Sequence, residues 1–234
     1  MTQATTKTVR AGLSRDRVLR AAIELADREG LAALSMRRLG NELGVEAMSL
    51  YNHIANKDDM LDGMVQTIVE DLNARVGPGG GADAESDWVT ALRTRILTAR
   101  AVMLQHKWAP GLIESRSSFS PPLVAYYEGV LATLRAGGFS YDLAHHTLHA
   151  LGSKAIGFNQ ELFNPVGAGD SQPDVDIEAM AEQFPHLAEM LADVVHEGPE
   201  TTIGWCDDQT EFEFGLDVLL DGLERRRTGA TRRK

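Results

Sequence analysis

Apolar residues recur at spacings of three and four along most of the chain, which is the period of an α-helix buried on one side. The run after Ser14 shows this pattern to about Glu29. Its apolar stripe consists of Val18, Leu19, Ala22, Ile23 and Ala26. Serine is a common N-terminal cap, and a glycine such as Gly30 commonly ends a helix. The sequence therefore predicts a first helix between Ser14 and Gly30.

The same reasoning predicts three further helices in the N-terminal part. Ser35 and Gly44 bracket a short second helix, whose inward residues are expected to be Met36, Leu39 and Leu43. A third short helix is expected over about 46–53, and a fourth over about 57–72 with acidic residues in its first turn. The alternation typical of strands is nearly absent, so the predicted fold is all-α.

Glycine and proline divide the rest of the chain. The stretch GPGGGADAES at 77–86 predicts a flexible connection, because four glycines and a proline in five residues disfavour regular structure. A loop rich in proline, glycine and aspartate is expected at 164–175. Helices are expected at about 87–106, 109–115, 121–136, 141–163, 176–183, 185–196 and 208–227.

The charge of this acidic protein is unevenly distributed. The net charge is −11 over 234 residues, yet residues 1–57 carry +3 and residues 58–234 carry −14. A basic segment on an acidic body is expected when only one end of a protein contacts a polyanion. Small domains also vary by a few charges, so this asymmetry alone decides little.

Composition excludes several classes of protein. The single cysteine, Cys206, excludes an internal disulfide and a cysteine-rich zinc site. The first residues lack the apolar core of a signal peptide, and no uncharged run approaches the roughly 20 residues of a membrane-spanning helix. Neither a phosphate-binding glycine loop nor a nucleophile elbow is found. We expect a cytoplasmic protein without catalytic activity, metal or cofactor.

Two short helices joined by a glycine turn, after a longer helix, are typical of a helix-turn-helix DNA-binding domain. The last of these helices must bury one side and present the other to a DNA groove. Leu50 and Ile54 are four residues apart and are expected to face inward. Gly44 permits the positive φ that the turn requires.

The run SMRRLGNELGVEAMSLYNHIANKDDML resembles the DNA-binding head of the tetracycline-repressor family of bacterial transcription regulators. The matching features are the LGV turn, the following LY pair and the NKDDML start of the fourth helix. The resemblance implies a disordered arm at 1–13, a DNA-binding domain at 14–62, a regulatory and dimerisation domain at 63–227 and a basic tail at 228–234.

The resemblance also implies how this head contacts double-stranded DNA. Tyr51, His53 and Lys57 would hold the phosphate backbone, which sets register without reading sequence. Base readout is expected from a set of five residues: Arg37, Ala47, Met48, Ser49 and Asn52. Packing of Tyr51 on the first helix and a His53 that contacts nothing are the alternatives. Phosphate contacts are also considered for Arg10, Arg15 and Arg17, with solvated side chains as the alternative.

The family resemblance implies a homodimer, because one short recognition helix covers too few base pairs and a two-fold pair matches a palindromic operator. The helices over 141–163 and 208–227 would form the interface. Its expected residues are Leu148, Leu151, Gly152, Ala155, Phe212, Leu216, Leu219, Leu220 and Leu223, with Phe214 and Val218 as a second apolar edge. The alternative is that both helices complete a monomeric core.

A mixture of aromatic and polar residues between the head and these helices suits a pocket for a small-molecule effector. The candidate lining is Met103, His106, Trp108, Ile113, Phe119, Tyr127, His149, Phe158 and Asn159, with core packing as the alternative for each. Ile113 stands where the family's metal-binding histidine is expected, although Glu161 resembles the acidic residue used near that metal. We therefore do not expect tetracycline with magnesium. The spacing of His145 and His149 is also one used for metals, but no third ligand is evident.

The sequence thus predicts a homodimeric repressor that a small molecule releases from a palindromic operator. Two alternatives stay open. One is an activator or a ligand-independent DNA binder, and the other is a helical small-molecule-binding protein without DNA affinity. The effector and the operator sequence are not predicted.

Overall fold

The computed structural model describes residues 12–116, 120–157, 183–186, 188–189 and 208–231. Within these ranges the regular structure is helical, without strands. The helices are α1 (Arg15–Glu29), α2 (Met36–Leu43), α3 (Ala47–Leu50), α4 (Lys57–Val76), α5 (Ala82–Ser86), α6 (Trp88–Gln105), α7 (Ala109–Ser115), α8 (Pro121–Ala136), α9 (Tyr141–Gly157) and α10 (Asp208–Thr231). The predicted all-α fold is confirmed.

Local capping explains where the first helices begin and end. The Ser14 side chain accepts from the backbone N–H of Arg17, and the Ser35 side chain accepts from that of Arg38. Gly44 ends α2 with a left-handed φ of 67°. These predicted boundaries are confirmed, because capping is decided by residues adjacent in sequence.

Three local predictions differ from the structure. The third helix is shorter than expected, because the amides of His53 and Ile54 both bond to the carbonyl of Leu50 and close the chain into a tight turn. A 3₁₀ turn at Leu31–Ala33 was not predicted. The connection at 77–86 contains α5, so only its glycine-rich first half is irregular. The predicted elements at 164–175, 176–183 and 185–196 lie wholly or largely outside the described residues.

The chain forms two compact units, and the first contains the described residues of 1–80 and 94–132. Its core is built by α1 and α4 with α2 and α3 packed against them. The largest fully buried side chains of this unit are Leu25, Leu34, Leu39, Leu50, Ile54, Met60 and Met64. Burial of each such side chain contributes roughly 1.5–3 kcal/mol.

The second unit contains the described residues of 81–93 and 133–234. The rings of Trp88 and Phe139 meet edge to face with centroids 4.6 Å apart. Arg93 joins α6 to α10 through Glu213 at 2.6 Å and Asp217 at 2.7 Å. Across the residues described in both units, no helix is long and apolar enough to cross a membrane.

Candidate nucleic-acid interface

The short helix α3 is fixed from its inner side. Leu50 and Ile54 are fully buried in the core of the first unit, where Leu39 of α2 is buried as well. This confirms the predicted inward pair. The opposite side of α3 and the turn after it are therefore left facing solvent.

Gly40 lets α2 and α3 approach closely. A Cβ at this position would lie 2.9 Å from the carbonyl oxygen of Val45 and 3.2 Å from the amide nitrogen of Ala47. The carbonyl of Gly40 also accepts from the Val45 amide at 2.9 Å. The spacing of the two helices therefore depends on the absence of a side chain at Gly40.

All eight residues predicted to contact DNA retain access to solvent. Five are exposed and three are partly exposed. The exposed set is Arg37, Met48, Tyr51, Asn52 and Lys57, and the partly exposed set is Ala47, Ser49 and His53. Met48 is 74% exposed and Tyr51 46%, so both side chains keep apolar surface accessible to solvent. Their contacts with DNA stay predictions.

The turn between α3 and α4 is held to α1 by one carboxylate. Asp59 receives Arg15 Nη2 at 2.6 Å and Nη1 at 2.9 Å, together with the amide of Ala55 at 2.7 Å. Arg15 Nη1 also donates to the carbonyl of His53 at 3.0 Å. The side chain of Asn56 caps α4 by accepting from the Asp59 amide. This network fixes the backbone on either side of Lys57.

The protonation behaviour of this pair follows from its geometry. Hydrogen bonds from Arg15, and then from the Ala55 amide, hold the pKa of Asp59 below its ordinary value. The same ion pair raises the pKa of Arg15. Arg15 thus has a structural role in the turn, and the phosphate contact considered for it stays a prediction.

Other arginines of the head are also paired. Arg38 contacts Glu29 at 2.6 Å, and Arg28 contacts Glu42 at 2.6 Å. Within the described residues, no ion pair involves Arg37 or Lys57. Pairing therefore leaves these two cations available to an external anion.

One carboxylate of α1 joins the head to the segment between α6 and α7. Asp27 receives the indole N–H of Trp108 at 2.6 Å, and its oxygens lie 2.9 and 3.0 Å from Nδ1 of His106. Both side chains were predicted to line a ligand pocket. The structure places Nδ1 of His106 and the indole N–H of Trp108 against α1, a contact that sequence spacing alone does not reveal, and their role in a pocket stays a prediction.

Comparison with known proteins identifies the family to which this chain belongs. Residues 18–64 match the model of bacterial regulatory proteins of the tetR family, and residues 81–227 match the tetracyclin repressor-like C-terminal domain. The chain belongs to the TetR family. It is therefore a DNA-binding transcriptional regulator, with its helix-turn-helix in the head described above.

Individual TetR-family relatives agree along nearly the whole chain. The HTH-type transcriptional repressor DrrR1 of Streptomyces coeruleorubidus is 31% identical over 91% of this chain and 77% of its own length. The class E tetracycline repressor of Escherichia coli is 31% identical over 91% of this chain and 92% of its own. The structure of ActR from Streptomyces coelicolor in complex with actinorhodin superposes with a TM-score of 0.66, at 27% identity, over 93% of this chain and 99% of that one.

Of the other residues predicted to line the pocket of this TetR-family chain, three described ones lie in the first unit and one lies in the second. Met103 packs against the core that contains α1, and Tyr127 is partly buried. Ile113 lines a cavity of about 230 Å³, with Asp62, Val65, Gln66, Arg116, Ser120, Pro121 and Leu123. His149 lies on α9, with its Nε2 3.2 Å from that of His145. Phe119, Phe158, Asn159 and Glu161 lie outside the described residues.

The residues predicted for the dimer interface differ in their exposure within one protomer. Leu151, Phe212, Leu216, Leu220 and Leu223 are each at most 5% exposed in a single protomer. They therefore pack inside their own unit, where α9 and α10 contact each other. Leu148, Gly152 and Leu219 are partly exposed, and the side chain of Ala155 lies outside the described residues. The exposed apolar edge of α10 is instead formed by Phe214, 66% exposed, and Val218, 53% exposed.

Proposed function

We propose that this TetR-family regulator is a cytoplasmic homodimeric repressor, which a small-molecule effector releases from a palindromic operator. The observation that carries the proposal is the solvent-facing side of α3, held in place by buried Leu50 and Ile54. It is followed by the exposed cation of Lys57, which forms no ion pair within the described part of the chain. The repressor function named for DrrR1 and for the tetracycline repressors supports the sign of the regulation.

The roles within the head follow from the chemistry of each side chain. Lys57, Tyr51 and His53 contribute an ammonium, a hydroxyl and an imidazole to phosphates. Arg37 suits a guanine edge, and Met48 suits a thymine methyl. Ala47, Ser49 and Asn52 complete the readout surface. Because Ala47 and Met48 form no hydrogen bonds to bases, direct sequence discrimination by each head is modest.

Dimerisation is proposed through the exposed apolar edge of α10. Phe214 and Val218 lie four residues apart, one helical turn, and both are more than half exposed. Leu148, Gly152 and Leu219 are the predicted interface residues that retain exposed surface beside the core of this unit. A two-fold pair of subunits places two heads on half-sites about one helical turn apart.

Effector action requires a change at the head. Asp27 bonds His106 and Trp108, and Arg116 contacts Asp62 at 3.0 Å and Asp58 at 3.4 Å, so α1 and α4 are both held by residues beyond the head. An effector that binds better to an arrangement in which these contacts change lowers operator affinity by that difference. The 230 Å³ cavity is smaller than the roughly 300–1,000 Å³ of typical ligand sites. An effector of that size would bind in this cavity only if the cavity enlarged.

The experiment is a binding titration with labelled DNA from the regulator's own upstream region, followed by fluorescence anisotropy at several salt concentrations. Lys57→Ala should weaken binding and reduce the salt slope by about one for each phosphate that a head no longer neutralises. Arg75→Ala is the matched control, because it removes an exposed cation near the other end of the same helix. Equal effects of the two variants, or no binding at low salt, would contradict the proposal.

A promoter-reporter measurement then decides whether the protein represses or activates transcription. Deletion of the gene should raise expression from a promoter that the protein binds. A fall in expression would instead identify an activator. DNA binding that is absent while small molecules still raise the melting temperature would favour a helical binding protein without DNA affinity.

A further inference from the structure

A buried arginine in the first unit lacks a counter-charge among the described residues. Arg95 of α6 is only 3% exposed, and its Nη1 has no hydrogen-bond partner there. Burial lowers its pKa, and the oxygens near the guanidinium are uncharged. A buried cation without a paired anion is normally strongly unfavourable, so its presence calls for a physical reason.

The neighbours of Arg95 offset only part of its charge. Nη2 donates to the carbonyls of Gly77 at 2.7 Å and Val76 at 3.2 Å, which carry the partial negative charge of the α4 C-terminus. The ring of Tyr126 lies 5.8 Å from the guanidinium carbon. Burial raises the pKa of Tyr126 to about 12, so its hydroxyl stays neutral near neutral pH.

The neighbouring arginine on the same helix, Arg93, differs from Arg95 in having carboxylate partners. Arg93 is more exposed than Arg95, yet it binds two carboxylates, Glu213 and Asp217, at 2.6 and 2.7 Å. Within the described residues, the more deeply buried of the two arginines is thus the one without a carboxylate partner. Packing alone does not explain a guanidinium at this position, because an apolar side chain of similar length would fill the space without the charge.

The backbone of α8 lies close to Nη1. A Cβ at Gly129 of α8 would lie 2.6 Å from Nη1, and a Cβ at Gly79 would collide with the carbonyl oxygen of Gly129. The loop that contains Gly77, Gly79 and Gly80 has positive φ at each of these glycines. Access of a ligand to Nη1 requires this loop to move away from α8, and its glycines carry no side chains that such a movement would unpack.

We propose that Arg95 binds the effector's anionic group, and hence that the effector is an organic anion carrying a carboxylate. This inference rests on the proposed effector-controlled repressor. The anionic oxygen accepts from Nη1, where a charge-assisted bond is roughly twice as strong as a neutral one. The anionic oxygen also competes with the carbonyls of Val76 and Gly77 for hydrogen bonds from the guanidinium. Binding therefore weakens the hold on the C-terminal end of α4, whose first residue is Lys57.

The test compares acids with neutral analogues of the same shape. The probes are 2-naphthoate with 2-naphthamide, and anthraquinone-2-carboxylate with anthraquinone-2-carboxamide. Binding to the DNA-free full chain is measured by calorimetry and thermal shift, and release of labelled operator is measured by anisotropy. The variants are Arg95→Met and its matched control Arg93→Met.

The wild type should bind at least one acid tenfold or more tightly than its amide, and that acid should release the operator. Arg95→Met should bind the acid and the amide equally, whereas Arg93→Met should keep the preference. Without ligand, Arg95→Met should melt at or above the wild-type temperature because a buried charge is removed. Arg93→Met should melt lower, because Glu213 and Asp217 lose their partner.

Three results would overturn the inference. They are the absence of any acid preference in the wild type, the same preference in Arg95→Met, and a melting temperature of Arg95→Met as low as that of Arg93→Met. The last result would identify Arg95 as a structural cation. Failure of the proposed function is distinguishable, because it appears as a wild-type protein that binds acid but no operator.

Discussion

Replacement of Gly40 by alanine has two opposing effects: it favours the helix α2, and it forces α3 away from α2. In the helix interior, alanine is favoured over glycine by about 1 kcal/mol. The added Cβ, however, would lie 2.9 Å from the Val45 carbonyl oxygen and 3.3 Å from Cα of Ala47. Both contacts are with backbone, which cannot rotate away as a side chain does. The start of α3 must therefore shift by roughly 0.5 Å to restore ordinary van der Waals distances.

The two opposing effects set the expected magnitudes. Overpacking of this kind costs about 1–3 kcal/mol, so the gain in helix propensity is cancelled or exceeded. A shift of α3 should also misplace the predicted contacts of Tyr51, Asn52 and Lys57 with DNA. If each head loses about 1 kcal/mol of binding energy, a dimer with two altered heads binds its operator roughly 30-fold more weakly.

Gly111→Ala is the matched control. Gly111 also lies in a helix of the first unit, and a Cβ there would meet nothing within 4 Å. This variant should gain up to about 1 kcal/mol, or roughly 2–4 °C in melting temperature, with unchanged operator affinity. Thermal unfolding and fluorescence anisotropy measure the two quantities. The reasoning is refuted if Gly40→Ala gains as much stability as Gly111→Ala and binds DNA like the wild type.

Three further predictions concern the contacts around the head and the edge of α10. Asp59→Asn should destabilise by about 1 kcal/mol in urea unfolding at pH 6, and the difference should shrink towards pH 3. The sign follows because a lowered carboxyl pKa stabilises the fold above the ordinary value of 3.8, and this contribution is lost as pH falls through the folded pKa. A deficit that is constant with pH would contradict it. Phe214→Asp should convert the dimer to monomer by light scattering, whereas Asp217→Asn should not; a dimeric Phe214→Asp variant would place the interface elsewhere. Asp27→Asn should reduce effector-induced release of the operator while operator affinity stays similar. Unchanged release would show that the contact of Asp27 with Trp108 does not couple effector binding to the DNA-binding head.

The parts of this structure that were predictable from sequence depend on neighbours along the chain. Ser14, Ser35 and Gly44 mark helix ends because capping involves residues within one turn. The burial of Leu50 and Ile54 follows from helical period, and the family motif LGV…LY identifies the head. These signals were sufficient to predict the fold class and to locate the DNA-binding segment.

The parts that sequence did not reveal are contacts between residues far apart in the chain. Asp27 meets Trp108 across 81 positions, and Arg15 meets Asp59 across 44. The apolar stripe of α10 was assigned to a partner because periodicity shows that a face is buried but not what buries it. Phe212 and its neighbours on that stripe pack within their own protomer, so the opposite edge became the candidate interface.

The length of α4 has a mechanical consequence. Its 20 residues form a rod of roughly 30 Å, with Lys57 at one end and the carbonyls held by Arg95 at the other. A tilt of only about 5° about one end displaces the other by roughly 2.5 Å, close to the full length of a hydrogen bond. On the proposed mechanism a ligand would therefore need no refolding to act on DNA, since a helix of this length would convert a small displacement of Val76 into the loss of the predicted phosphate contact of Lys57.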